Sequence, residues 1–140
     1  MIGIKSAALL ALIGLGFPGA SWLHAEDRMR AGMWEVTSTS TGKEKAVTNT
    51  CYTPAMVAST NLPAKEYKES TEKLNTLHGC TISDFTIEAG KMSMTKVCNG
   101  TSTVFSSTYG GDVFDTVIKT TRAGATEVIR MTGRRIGACK

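Results

Sequence analysis

The chain has 140 residues, 41% hydrophobic and 20% charged, with a formal net charge of +4 at pH 7. One domain of this size buries a real but thin core, and its charges are weak and interleaved. Only Arg130, Arg134, Arg135 and Lys140 gather at one end, so composition argues against a nucleic-acid-binding protein.

In chain order, Met1 to Lys5 carry one positive charge, and Ala7 to Phe17 then run without a polar side chain until Pro18-Gly19. That run is shorter than the roughly 20 apolar residues that a helix needs to cross a bilayer, so it reads as a cleaved signal peptide over residues 1–25. The favoured cut follows Ala25, with Ala20 second; neither precedes a cysteine, which argues against a lipid anchor. An uncleaved anchor is the alternative. Residues 26–140 are expected to form a single β-rich exported domain, in the periplasm or secreted, with no stable transmembrane segment after cleavage.

From Gly32 onward, glycine-bearing turns recur at Gly42, Ala89-Gly90, Asn99-Gly100, Gly110-Gly111 and Ala123-Gly124, separating segments rich in Thr, Val, Ile, Phe and Met. This predicts strands near 33–41, 44–51, 80–88, 91–98, 102–109, 113–121 and 126–134. The exception is Thr53 to His78, which lacks glycine and opens with a hydroxyl cap and a proline, Thr53-Pro54. One or two short helices are expected there, divided by Pro63, with Lys and Glu pairs such as Glu69 to Lys73 on a solvated face and Tyr67, Leu74 and Leu77 sharing another. The fold class is therefore mainly β: an antiparallel meander or a partly closed β-barrel with a helical insert at about 53–78.

Cys51, Cys80, Cys98 and Cys139 form an even set behind a signal peptide, which reads as two disulfides in an oxidising compartment. A three-residue loop Glu88-Ala89-Gly90 would pair Ile87 with Lys91 and set Cys80 opposite Cys98, leaving Cys51 for Cys139. This is the favoured one of three connectivities. The cysteine spacing is wide and His78 is the sole histidine after the leader, so no metal site or cofactor is expected.

No catalytic constellation stands out. His78 reads as a helix-terminal residue. Glu35, Asp84, Glu88, Asp112, Asp115 and Glu127 fall in strands or turns and mostly face water, which disfavours a carboxylate enzyme. Arg130 and Arg134 share a strand face with Thr132 between them and are the candidate anion contacts, against an ordinary role in salt bridges to Glu35 or Glu127; Arg135 points the other way. Trp34 is read as a core aromatic, with the alternative that it lines a pocket with Phe105 and Phe114.

The motifs G-M-W-E-V at Gly32 to Val36, C-Y-T-P at Cys51 to Pro54, the strand-bounding Cys80 and Cys98, and G-R-R-I-G-A-C at Gly133 to Cys139 together resemble the bacterial envelope proteins grouped as domain of unknown function 3617. The likeness spans nearly the whole mature chain, with A-G-M-W-E where the family usually reads P-G-L-W-E, and Ala138 before the last cysteine. It implies an exported, mostly β protein and brings no activity. The expected role is a non-enzymatic binding or accessory module of the cell envelope, with an envelope component or small ligand as partner. A lipocalin-like carrier of an apolar ligand is the alternative, and a hydrolase a third.

Overall fold

A computed structural model describes residues 27–140; the leader expected over residues 1–25 lies outside the described residues. Seven strands and two helices follow in order: β1 (Gly32–Ser40), β2 (Ala46–Tyr52), α1 (Pro54–Ala58), α2 (Ala64–Leu77), β3 (Cys80–Glu88), β4 (Lys91–Cys98), β5 (Thr101–Tyr109), β6 (Val113–Arg122) and β7 (Ala125–Gly137). The strands make one antiparallel sheet in the order β2-β1-β7-β6-β5-β4-β3. Strands β3 to β7 form a meander, and the β1–β2 hairpin joins it through β1 and β7. The sheet stays open. Its free edges, β2 and β3, are joined in sequence by residues 53–79, which spend their backbone hydrogen bonds in helices rather than in closing a barrel.

Both disulfides are formed, Cys51–Cys139 and Cys80–Cys98. The second pairing arises differently from the expected route. Glu88 faces Lys91, so the turn is the two residues Ala89-Gly90, with φ of 44° and 77°. That register would miss Cys98 by one residue. It is restored by a bulge between Ser83 and Thr86, where Asp84 has φ 52°. The same bulge brings Phe85 and Ile87 to the face that Ile82 occupies, because each residue of slip exchanges the two faces of a strand.

The register places Trp34 and Val36 of β1, Met131 and Gly133 of β7, Phe114, Thr116 and Ile118 of β6, and Phe105, Ser107 and Tyr109 of β5 on one face, here called inner. The helical connection lies against this face at two points. Val57 of α1 joins the core of Met29, Trp34, Val36 and Phe114, and Tyr67 of α2 stacks on Phe85 with ring centroids 6.0 Å apart. The core is tight at one position above all: a Cβ on Gly133 would come within 2.1 Å of the Phe114 ring, which itself packs against Trp34 with ring centroids 5.5 Å apart.

Thr53 caps α1 by accepting a hydrogen bond from the Met56 N–H, with Pro54 at the first helical position, and α2 begins directly after Pro63. The ion pairs on α2 are Lys65–Glu69 and Lys68–Glu72. Of the three residues expected to share one helix face, Tyr67 stacks on Phe85. Leu74 and Leu77 are 58% and 74% exposed on a helix whose main packing partner is the edge strand β3.

Candidate functional site: an apolar cleft on the inner face

The helices cover the inner face only in part, and that leaves a cleft. The short segment before β1 forms its end. Met29 bridges to Gly111, and the Asn61 side chain accepts from the Met29 N–H at 3.0 Å and donates to the Met29 carbonyl at 2.8 Å. The Trp34 indole N–H donates to the Arg30 carbonyl, and Arg135 Nε to that of Ala31. Backbone and side-chain hydrogen bonds thus fix this segment between the β5–β6 loop and the α1–α2 linker.

The cleft has a volume of about 240 Å³ and is lined by Tyr52 of β2, Phe105 and Tyr109 of β5, Phe114, Thr116 and Ile118 of β6, and Met131 of β7, with Met29 and Thr60 at its end. Its walls are mostly apolar. The hydroxyls beneath it are spent on one another: Ser107 and Thr116 are buried and hydrogen-bonded together, and Ser107 also donates to the Asp115 carbonyl. The buried hydroxyls thus meet each other and a backbone carbonyl rather than a base of the kind that activates a nucleophile. A larger depression of about 530 Å³ lies by the β3–β4 turn, but hydroxyl and charged side chains such as Thr86, Glu88, Lys91, Ser93 and Thr108 make most of its wall, so the smaller, more apolar cleft is the better ligand site.

Beside the cleft sits Arg28, only 7% exposed. Its Nη1 donates to the Thr60 carbonyl at 2.7 Å and the Leu62 carbonyl at 2.8 Å, and its buried Nε has no acceptor. Among the described residues no carboxylate forms a salt bridge with it. Burial pushes the phenols of Tyr67 and Tyr109 above their ordinary pKa of 10.0, opposed in each by the positive charge of Arg28. Because the folded protein holds these two protons longer than the unfolded chain, their contribution to stability is full below pH 10 and is lost as pH rises through the raised values. Urea midpoints of the wild type are therefore expected to fall above pH 10, and to fall less steeply in Tyr67→Phe and Tyr109→Phe. Equal slopes in all three would contradict this.

Of the residues singled out in the sequence, Phe105 and Phe114 line the cleft, whereas Trp34 is fully buried behind Phe114 and lines none of it. Arg130 and Arg134 lie together on the opposite, outer face, each meeting a carboxylate: Arg130 with Asp115, and Arg134 with Glu35 at 3.1 Å. The Asp115 hydrogen bond and charge hold Arg130 further still from losing its proton. Asp112 pairs with Arg30 and Glu127 with Lys43, so four of the six carboxylates considered as acid–base groups face cations rather than one another. His78 is the exposed C-cap of α2. Among the described residues no cluster of His, Cys, Asp or Glu is arranged to hold a metal ion, and no helix is long and apolar enough to cross a membrane. Sequence reasoning passed over Arg28, Tyr67 and Tyr109 as site residues. Nothing in a single arginine ahead of the first strand signals that it will be buried.

No curated protein and no solved structure is detectably similar to the chain. A family model described as protein of unknown function (DUF3617) matches residues 29–139.

Proposed function

From the premise that the chain belongs to the DUF3617 family, which brings no assigned activity, we propose that it is an exported, non-enzymatic binding module whose inner sheet face takes up a small apolar ligand. The observation that carries this reading is the cleft between Phe105, Phe114, Ile118 and Met131, which the helices leave uncovered. At about 240 Å³ it falls just below the range of roughly 300–1,000 Å³ usual for drug-sized ligands, so the occupant is small or a single chain. Export is supported by the apolar run from Ala7 to Phe17 and by two disulfides, which persist in oxidising compartments such as the periplasm.

The test is native mass spectrometry of protein taken from the periplasm without refolding, followed by titration of the stripped protein with octanol, read through Trp34 fluorescence. A copurifying apolar mass, or saturable uptake of octanol, is expected. A clean apo mass together with no uptake overturns the ligand reading. It would favour a protein-interaction role instead, for which the exposed Leu74 and Leu77 on α2 are the supporting observation.

A further inference from the structure

A guanidinium cannot shed its proton in a protein, so burying Arg28 buries a permanent positive charge. Carbonyls of Thr60 and Leu62 satisfy Nη1, but they are dipoles and bring no countercharge. Every other arginine that approaches a carboxylate in this structure does so at the surface: Arg30, Arg130 and Arg134. The buried one is left without such a partner among the described residues, and its Nε is an orphaned donor. Nε belongs to the edge of the guanidinium that receives a carboxylate or phosphate in a two-pronged hydrogen bond.

The surroundings share the same character. Thr60, whose carbonyl takes the Nη1 bond, lines the cleft, as does Met29, the residue next to Arg28. The phenol of Tyr109 lines the cleft too, and those of Tyr67 and Tyr109 lie within electrostatic reach of Arg28 and of each other. Both hydroxyls keep their protons well past neutral pH and so remain donors. Next to Met29, Thr60 and Tyr109 of the cleft wall there therefore lie a fixed cation and two neutral donors, and among the described residues no carboxylate pairs with that cation.

Resting on the ligand reading above, we infer that the natural occupant is an amphiphile with a single acidic head, which docks on the free edge of Arg28 beside the hydroxyls of Tyr67 and Tyr109 while its apolar body lies along Phe105 and Ile118. The head supplies a countercharge that Arg28 lacks among the described residues, and the cleft supplies the apolar contact. Carboxylates and monoesters of phosphate present the same two-oxygen edge, so either source fits the chemistry.

The disulfide-intact protein is titrated with octanoate, octyl phosphate and octanol, in the wild type and in Arg28→Gln. At least one acid is expected to bind the wild type ten-fold or more tighter than octanol. Arg28→Gln should weaken the acid by about 10- to 100-fold and octanol by less than about three-fold, as expected for loss of a charge-assisted hydrogen bond. A preference for octyl phosphate over octanoate keeps the inference and assigns the head to phosphate; the reverse assigns it to carboxylate. Octanol binding as tightly as both acids, or Arg28→Gln weakening all three alike, overturns it and leaves Arg28 as a tie for the linker alone, with the apolar cleft intact. Failure of all three to bind overturns the ligand reading as well. Should Arg28→Gln fail to fold, the wild type decides: its preference for octanoate is expected to vanish below about pH 4, where a carboxyl group is mostly protonated, and a preference unchanged there counts against the inference.

Discussion

Replacing Cys51 and Cys139 together by Ala is expected to lower the unfolding free energy by about 4–5 kcal/mol, and replacing Cys80 and Cys98 by about 3 kcal/mol. The difference follows from separations of 88 and 18 residues, since the longer loop removes more freedom from the unfolded chain. Against the roughly 5–15 kcal/mol typical of a small domain, the first loss is at least about a quarter of the reserve and, at the low end, nearly all of it. The Cys51 bridge also fastens β2, an edge strand that pairs only with β1 and is exposed over most of its length. Urea unfolding of the two double variants, each retaining the other bridge, provides the comparison. Equal losses would show that the bridges act through native contacts rather than through the unfolded chain.

Trp34→Ala is expected to cost about 3–5 kcal/mol, the range for truncating a large buried aromatic. Trp34 is fully buried, packs edge-on against Tyr52 at 6.2 Å and against Phe114 at 5.5 Å, and donates to the Arg30 carbonyl, which would lose that partner. Gly133→Ala tests the same core from the other side. The new methyl would overlap the Phe114 ring, which already packs against the fully buried Trp34, so a loss of about 2–3 kcal/mol is expected even though Gly133 needs no special backbone angle. In a Phe114→Leu background much of the Gly133→Ala penalty should disappear, and thermal melts of the four proteins in this cycle measure the coupling. A cost below about 0.5 kcal/mol for Gly133→Ala alone would show that the core yields where the structure has it rigid.

The strands were legible because their signals are local. Ala89-Gly90, Asn99-Gly100 and Ala123-Gly124 each mark a two-residue turn with both residues at positive φ, and the segments between them carry residues suited to a pleated sheet. The favoured disulfide pairing agreed with the structure although its premise did not: a loop one residue too long was offset by an unforeseen bulge at Asp84-Phe85. No glycine or proline marks that bulge; Asp84 itself adopts the left-handed conformation. The site was less legible. Phe105 and Phe114 were identified as pocket residues, but whether Trp34 stands beside or behind them depends on how the sheet curls. Arg28 was invisible because its burial is decided by the Thr60 and Leu62 carbonyls, 32 and 34 residues away. Arg130 and Arg134 stood out as a cluster of charge, and the salt bridge to Glu35 was foreseen and is made by Arg134, whereas Arg130 meets Asp115 and Glu127 meets Lys43 instead.

The positions of the cysteines have a mechanical meaning. Cys51 and Cys80 flank the helical connection on either side, Cys51 bonded to Cys139 just beyond β7 and Cys80 to Cys98 at the end of β4. The segment between them behaves as a strap bolted at both ends, held in its middle by the Arg28 and Asn61 hydrogen bonds and by Val57 and Tyr67. Loosening that middle would let the strap bow away from the sheet and return to the same seat, with no strand leaving its ladder. Reduction would remove both bolts together and leave the ends of the strap held by the β1–β2 and β3–β4 ladders alone.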